Sequence, residues 1–271
     1  MSPRLAIIGA GFMGEALVKG LLKNGKFGPG DISMADPDEK RRRRIEAEYG
    51  IGVFADNVRA VEGADMVALC IKGQSLDAVA STLRGAIPAA CSVVSVLPGV
   101  SIETLRSKFG TAAVARLMPN LGSGIGEGFT VWTTSGEMPE VSREWVTNIV
   151  QSLGKHAHVP SERYIDLATP FAAAPAFVFL FVEALVDAAV HVGLSHELAR
   201  DLVVQMVKGS ALLMDVEEEH PSVLRARVTS PGGVTAESIA VLEERGFRSA
   251  LLQAVLAGLR KTIDASAVSD S

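Results

Sequence analysis

The hydrophobic positions change their period partway along the chain. Up to about residue 160, short apolar runs alternate with segments whose large aliphatic residues recur every three or four positions. Leu5–Ile8, Ile32–Ala35, Met66–Ile71, Ser92–Leu97, Val114–Leu117 and Phe129–Thr133 read as strands. Met66–Ile71 is apolar throughout, as strands covered on both faces are. Between the strands, Met13–Asn24, Asp38–Tyr49, Ser75–Ala86 and Ser101–Ser107 read as helices, the first carried by Leu17, Val18, Leu21 and Leu22. Such alternation predicts an α/β domain of Rossmann type, a parallel-rich doubly wound sheet covered by helices.

Beyond "HVPSERY" the strand signals stop. Helices are expected at about Pro175–Val192, Ser195–Met214, Ala236–Arg245 and Ser249–Ala265, with Ser195 as an N-cap and Gly193 ending the helix before it. The predicted division is a dinucleotide-binding domain over 1–160 and an all-α domain over 161–271. The closing "ASAVSDS" reads as a loose tail. Pro170–Val182 is the most apolar stretch; at 13 residues it is short for a membrane span, so a buried helix with one face at a subunit contact is expected.

Composition narrows the class. The 271 residues are 48% hydrophobic, enough for a sizeable core, and the net charge of −5 argues against nucleic acid or an anionic membrane as partner. Cys70 and Cys91 have neither metal-ligand spacing nor a disulfide framework, which suits a reducing cytoplasm. The opening "MSPRLAIIGAGFMG" lacks the plan of a secretory leader.

The first chemical signal is Gly9, Gly11 and Gly14 in "LAIIGAGFMGEAL", a G-x-G-x-x-G spacing that follows a strand and opens a helix. There a pyrophosphate would rest on the N–H groups of Gly11, Phe12 and Met13. Asp36 ends the second strand, 22 residues past Gly14, where an acidic side chain binds the ribose 2′-hydroxyl of NADH. Arg41, Arg42, Arg43 and Arg44 follow directly. One of them reaching a 2′-phosphate would favour NADPH; otherwise they form a solvated face paired with Asp38, Glu39, Glu46 and Glu48. The second signal is "VTSPGGVTAESIAVLEE", Val228 to Glu244: a Ser-Pro-Gly-Gly turn opening an amphipathic helix, whose N-terminal amides suit an anion.

This second segment resembles the signature of the pyrroline-5-carboxylate reductase family. "IIGAGFMGEAL", "CIKGQ", "SVLPGVSIETL", "RLMPN", "EALVDAAVHVGL" and "HPSVLRARVTSPGG" resemble family segments in the same order, to about Arg260. The resemblance implies a Rossmann domain followed by a helical dimerisation domain, homodimers or larger assemblies with active sites completed at the dimer interface, and hydride transfer from NADPH or NADH to the C=N carbon of 1-pyrroline-5-carboxylate, giving L-proline. It places the substrate carboxylate on Ser230, Gly232, Gly233, Val234 and Thr235. It places Lys72 at the nicotinamide ribose or carboxamide, Asn57 near the adenosine ribose, and Leu97, Pro98 and Gly99 along the cofactor groove. Asn120 would face the nicotinamide, and Thr169 the substrate nitrogen. Thr235, Ser230 and Lys72 are the candidates for a direct part in the reaction. Plainer readings are a helix N-cap for Asn57, a strand-end surface lysine for Lys72 and a turn residue for Asn120. The five histidines read as structural or surface residues.

Three segments depart from the family pattern. Leu121 and Gly122 stand where it has Thr-Pro, Gly73 where it has proline, and Ala172, Ala173 and Ala174 where a Ser-Gly-Ser-Gly run precedes a long helix. A methyl-lined wall there would admit a different cyclic imine. The other readings are a β-hydroxyacid dehydrogenase, whose Lys-x-x-x-Asn pair the helical half lacks, and a non-catalytic nucleotide-binding paralogue.

Overall fold

The computed structural model describes residues 3–88 and 90–269. Eight strands form one sheet: β1 (Leu5–Ile8), β2 (Ile32–Ala35), β3 (Gly52–Phe54), β4 (Met66–Leu69), β5 (Ser92–Ser95), β6 (Val114–Met118), β7 (Gly128–Thr134) and β8 (Gly154–His158). Their order is β3-β2-β1-β4-β5-β6-β7-β8, and only the β6–β7 pairing is antiparallel. In register, Leu5 stands opposite Ile32 on one side and Met66 on the other, so β1 and β4 are central and fully buried.

Helices on both sides explain that burial. α1 (Phe12–Lys23), α2 (Glu39–Tyr49) and α6 (Glu140–Ser152) contribute Leu17, Leu21, Ile45, Val146, Ile149 and Val150 to one core layer. α3 (Asn57–Val61), α4 (Leu76–Leu83) and α5 (Ile102–Phe109) contribute Val61, Ala80, Leu83, Leu105 and Phe109 to the other. At about 25 cal/mol per Å² of apolar surface removed from water, two such layers are the main stabilisation of the sheet. The predicted strands and helices fall where expected, to within a few residues at the ends. β3, β8, α3 and α6 are additional.

The remaining helices are α7 (Arg163–Ala173), α8 (Pro175–His191), α9 (His196–Glu217), α10 (Pro221–Arg227), α11 (Val234–Glu244) and α12 (Phe247–Ser269). The chain divides into two units, Met1–Ala173 with Ala257–Ser271, and Ala174–Leu256. The division differs from the predicted one at 160 in two ways. First, α7 stays with the sheet because Arg116 on β6, only 2% exposed, bonds Glu162 and Asp166, each at 2.8 Å. Second, the distal part of α12 returns to that unit: Gly258 lies against Pro170, and Ala265 against Gly99. The expected loose tail is therefore helical through Ser269; Asp270 and Ser271 lie outside the described residues.

In the second unit, α8 and α9 form a hairpin around Val186, Ala199 and Val203. Ser195 caps α9 by accepting the Leu198 N–H, and Gly193 follows α8, as expected. Most large side chains here stay exposed, among them Phe179, Leu180, Leu202, Met206, Leu212 and Leu213. The helical run Arg163–His191 is also longer than the 13-residue stretch suggested: by length and composition it is apolar enough to cross a bilayer, and 6% of its most apolar window is buried.

Candidate active site

The glycine loop joins β1 to α1, and two of its three glycines are fixed by packing. A Cβ on Gly9 would lie 2.5 Å from the Cys70 carbonyl oxygen, and one on Gly14 would collide with the Gly9 carbonyl. Above Gly11 there is nothing within 4 Å. Gly11 is also the N-cap of α1 and provides no side-chain acceptor, so the first amides of this 12-residue helix have no side-chain cap. That arrangement fits a diphosphate: amides at a helix start, no Cβ in the way, and room above. Phe12 is half exposed and Met13 partly buried beside it.

Asp36 lies beside this loop. Its Oδ2 accepts the Ala10 N–H and its Oδ1 the Asp38 N–H, both at 2.8 Å, and the residue is 4% exposed. The arginines after it are engaged by the chain itself. Arg41 lies 3.5 Å from both Asp36 and Asp38. Arg42 donates to the Asp36 and Pro37 carbonyls, Arg43 to Glu39, and Arg44 to Glu15. Three of the expected acidic partners, Asp38, Glu39 and Glu48, recur; Glu15 on α1 was not foreseen.

The other residues of this group follow the C-terminal ends of strands, where ligands of doubly wound sheets bind. Lys72 is exposed after β4 and leads a 3-10 turn, Gly73–Ser75. Asn57 starts α3, but Asp56 is the cap, accepting the Val58 N–H; the Asn57 amide instead reaches Thr82 at 3.2 Å. Leu97 is 1% exposed and belongs to the core, and its N–H donates to Ser95 Oγ at 3.2 Å. Gly99 is buried, and a Cβ there would lie 3.0 Å from that of Ala265, so it packs against α12 while its edge lines the same cleft as Pro98. Pro98 alone of the three is exposed, in a cleft of about 600 Å³ shared with Gly73, Gln74, Lys261 and Asp264.

Asn120 follows β6 and holds the hairpin to β7, accepting the Phe129 N–H at 3.3 Å. Beside it is a cavity of about 190 Å³ lined by Met118, Phe129, Val131, Ala168, Phe171 and Ala172. Phe129 and Ala168 were not singled out from the sequence, since each lies in an ordinary apolar run. Thr169, one turn before Ala172, turns its hydroxyl back to the Ile165 carbonyl at 3.0 Å. The departures have local reasons. Ala172 and Ala173 are the last two residues of α7. A Cβ on Gly122 would come within 2.6 Å of the Glu127 carbonyl, whereas one on Gly73 would meet nothing within 4 Å.

In the second unit, Ser230, Gly232, Gly233, Val234 and Thr235 share one turn. Gly232 has φ +69, which only glycine adopts readily, and this turns the chain into α11. Gly233 is the N-cap of α11 and, like Gly11, provides no side-chain acceptor. α2, α3, α5, α9 and α10 are each capped by a side chain, from Asp38, Asp56, Ser101, Ser195 and His220, whereas α4, α6 and α8 are uncapped but start on Ser75, Pro139 and Ala174 rather than on glycine. Ser230 Oγ lies 2.5 Å from where a Gly233 Cβ would be, which puts a hydroxyl beside the bare helix start.

Three of the five histidines are held by local contacts. His156 accepts from Trp132 at 3.3 Å, and His158 packs edge-on against the same ring at 4.6 Å. Burial, with Arg143 nearby, holds His158 below its ordinary value. His220 caps α10. Burial, helped by Asp65, pushes the Cys91 thiol up to about 12, so it is inert as a nucleophile. Among the described residues, no cluster of His, Cys, Asp and Glu could hold a metal.

Residues 162–264 match the pyrroline-5-carboxylate reductase dimerisation family, and residues 4–99 match NADP oxidoreductase, coenzyme F420-dependent. Pyrroline-5-carboxylate reductase from Synechocystis is 35% identical over 97% of this chain and 98% of its own. The Escherichia coli enzyme of the same name is 30% identical over 97% and 98%. A crystal structure of the Plasmodium falciparum pyrroline carboxylate reductase with NADP bound superposes with a TM-score of 0.88 at 26% identity, covering 97% of this chain and 98% of that one. The likeness thus runs through both units at nearly full length, and the chain belongs to the pyrroline-5-carboxylate reductase family.

Proposed function

We propose that this protein is an NAD(P)H-dependent reductase of 1-pyrroline-5-carboxylate, forming L-proline. The observation that carries the reading is the pair of helices α1 and α11, each opening on a glycine with no side-chain cap. One bare start suits the diphosphate of a dinucleotide, the other a small carboxylate. The nicotinamide cofactor supplies the hydride that adds to the imine carbon. Gly11, Phe12 and Met13 hold its diphosphate through backbone amides. Lys72 and Asn120, at the ends of β4 and β6, flank the nicotinamide end, and Asn57 the adenosine end. The substrate carboxylate rests on the amides of Val234 and Thr235, with the Ser230 and Thr235 hydroxyls as further donors. Gly232 and Gly233 keep Cβ atoms out of its approach. Fixing both reactants replaces a bimolecular encounter, which is the main contribution a protein makes to hydride transfer.

The working form is a homo-oligomer. A second copy covers the exposed apolar faces of α8 and α9, including those of the long apolar run, in place of lipid. A net charge of −5 disfavours nucleic acid, and two unpaired cysteines suit the cytoplasm.

A second reading keeps the family but changes the imine. Ala172 forms part of the wall of the 190 Å³ cavity beside Asn120, and a methyl-lined wall favours a larger or more apolar ring. The test is cofactor oxidation with racemic pyrroline-5-carboxylate, run beside piperideine and thiazoline carboxylates. Turnover fastest on the five-membered imine, with Thr235→Ala raising KM about tenfold or more, supports the first reading. Faster turnover on a larger ring supports the second, and no turnover on any imine removes both.

A further inference from the structure

We infer that the cofactor site rejects a 2′-phosphate, so that the chain uses NADH, and that Asp36 and Asp38 impose this choice. The inference rests on the dinucleotide reading of the glycine loop. The adenosine ribose of a dinucleotide on such a loop meets the end of the second strand. There the Asp36 carboxylate is held by the Ala10 and Asp38 amides, at 2.8 Å each. A carboxylate can accept about four hydrogen bonds, so these two fix its direction and leave capacity for the ribose hydroxyls. Its side chain is 5% exposed, and solvent screens its charge poorly. A phosphate monoester there would bring a charge of about −2 against a carboxylate that cannot turn away.

Proteins accommodate a 2′-phosphate with an arginine or with a helix N-terminus, and here both are already committed. Arg41 is shared between the carboxylates of Asp36 and Asp38, 3.5 Å from each. Arg42 is turned onto the Asp36 and Pro37 carbonyls at 2.7 and 2.9 Å. Arg43 is paired with Glu39, and Arg44 with Glu15. At the start of α2, the Asp38 carboxylate accepts the Lys40 and Arg41 amides at 2.9 and 3.2 Å. An acidic side chain of the protein therefore occupies the seat that a phosphate would take. Lys40, exposed on the same turn, is the cation to examine alongside Arg41.

The experiment is direct binding to the full-length protein without imine, followed by nicotinamide fluorescence for NADH and NADPH and by calorimetry for AMP and adenosine 2′,5′-bisphosphate. NADH is expected to bind at least tenfold tighter than NADPH, and AMP tighter than the bisphosphate. Asp38→Ser retains a capping hydroxyl and removes the charge; it is expected to narrow the gap at least threefold by tightening NADPH. Asp36→Asn is expected to act in the same direction while weakening NADH, and Asp38→Ser serves alone if Asp36→Asn does not fold. Arg41→Ala and Lys40→Ala should leave NADH favoured. Equal binding of the two cofactors, or a gap that Asp38→Ser leaves unchanged, overturns the inference while the reductase reading stands. Binding of neither cofactor overturns both.

Discussion

Arg116 Nη1 lies 2.8 Å from Glu162 Oε2, and that same oxygen accepts the Ile102 N–H at 2.9 Å. One carboxylate thus ties β6, which leads into Asn120, to the start of α5, which follows Pro98 and Gly99. Arg116 also bonds Asp166 on α7, and its buried Nε has no partner. The guanidinium is 2% exposed, while Glu162 and Asp166 are 36% and 27% exposed. Removing it leaves two partly exposed carboxylates without their cation, a loss of about 1 to 2 kcal/mol once their access to water is discounted. Arg116→Met should lower the urea unfolding free energy by about that amount. An unchanged midpoint would mean that α7 is held to the sheet by its apolar contacts alone.

The glycine loop separates folding from binding at neighbouring positions. Gly14→Ala puts a Cβ into the Gly9 carbonyl, and the chain should fold poorly or expose the start of α1. Gly11→Ala meets no protein atom within 4 Å. Its thermal midpoint should stay within about 2 °C of the parent, as for a surface change, while NADH binding weakens at least tenfold. If Gly11→Ala bound NADH normally, the open space above it would not be the diphosphate seat.

These two glycines also show what a sequence can carry. Their spacing, strand before and helix after, is local, and so is the Ser-Pro-Gly-Gly turn before α11; both were legible. So were strands such as Met66–Leu69, whose apolar run needs no partner to be recognised. β3 was not, because Gly52–Phe54 is three residues long and partly exposed. α6 has its signal in Val146, Ile149 and Val150, one helical face, but it lies between two weak strand signals. The roles of Leu97 and Gly99 were illegible for a different reason. Leu97 is claimed by the core, and Gly99 by Ala265, more than 160 residues away. Asp36 likewise was legible as an acid at a strand end, but the two amides that orient it were not.

Acid should weaken the α1–α2 contact. The hydrogen bond from Arg44 holds the Glu15 carboxyl below its ordinary 4.5, with burial opposing and the charge of Arg44 adding. A lowered folded value means stabilisation that is complete above the unfolded value and is lost as pH falls through the folded one. At pH 7, Glu15→Gln should be less stable by about 0.5 kcal/mol, since Arg44 is half exposed. Below pH 4.5 the parent and variant urea midpoints should converge. A gap of the same size at pH 3 and pH 7 would show that packing or the Tyr49 contact, rather than the ionised carboxylate, supplies the stability.

The seat of α12 on the sheet unit rests on Gly99. Its φ of +66 is strained for any residue with a Cβ, and that Cβ would also lie 3.0 Å from Ala265 and 3.2 Å from the Thr262 carbonyl. The backbone conformation alone costs about 1 kcal/mol, and the close contacts with a helix that cannot yield add to it. Gly99→Ala should therefore destabilise by about 2 kcal/mol. It should also raise amide exchange in Gly258–Ser266, because the helix must shift to admit a methyl group. Gly73→Ala, in the neighbouring loop of the same cleft, has a permitted φ and no neighbour within 4 Å, and should be neutral to within about 0.5 kcal/mol. If Gly99→Ala were as silent as Gly73→Ala, α12 would not be docked on this loop in solution. The glycine would then have to be explained by the groove beside Pro98.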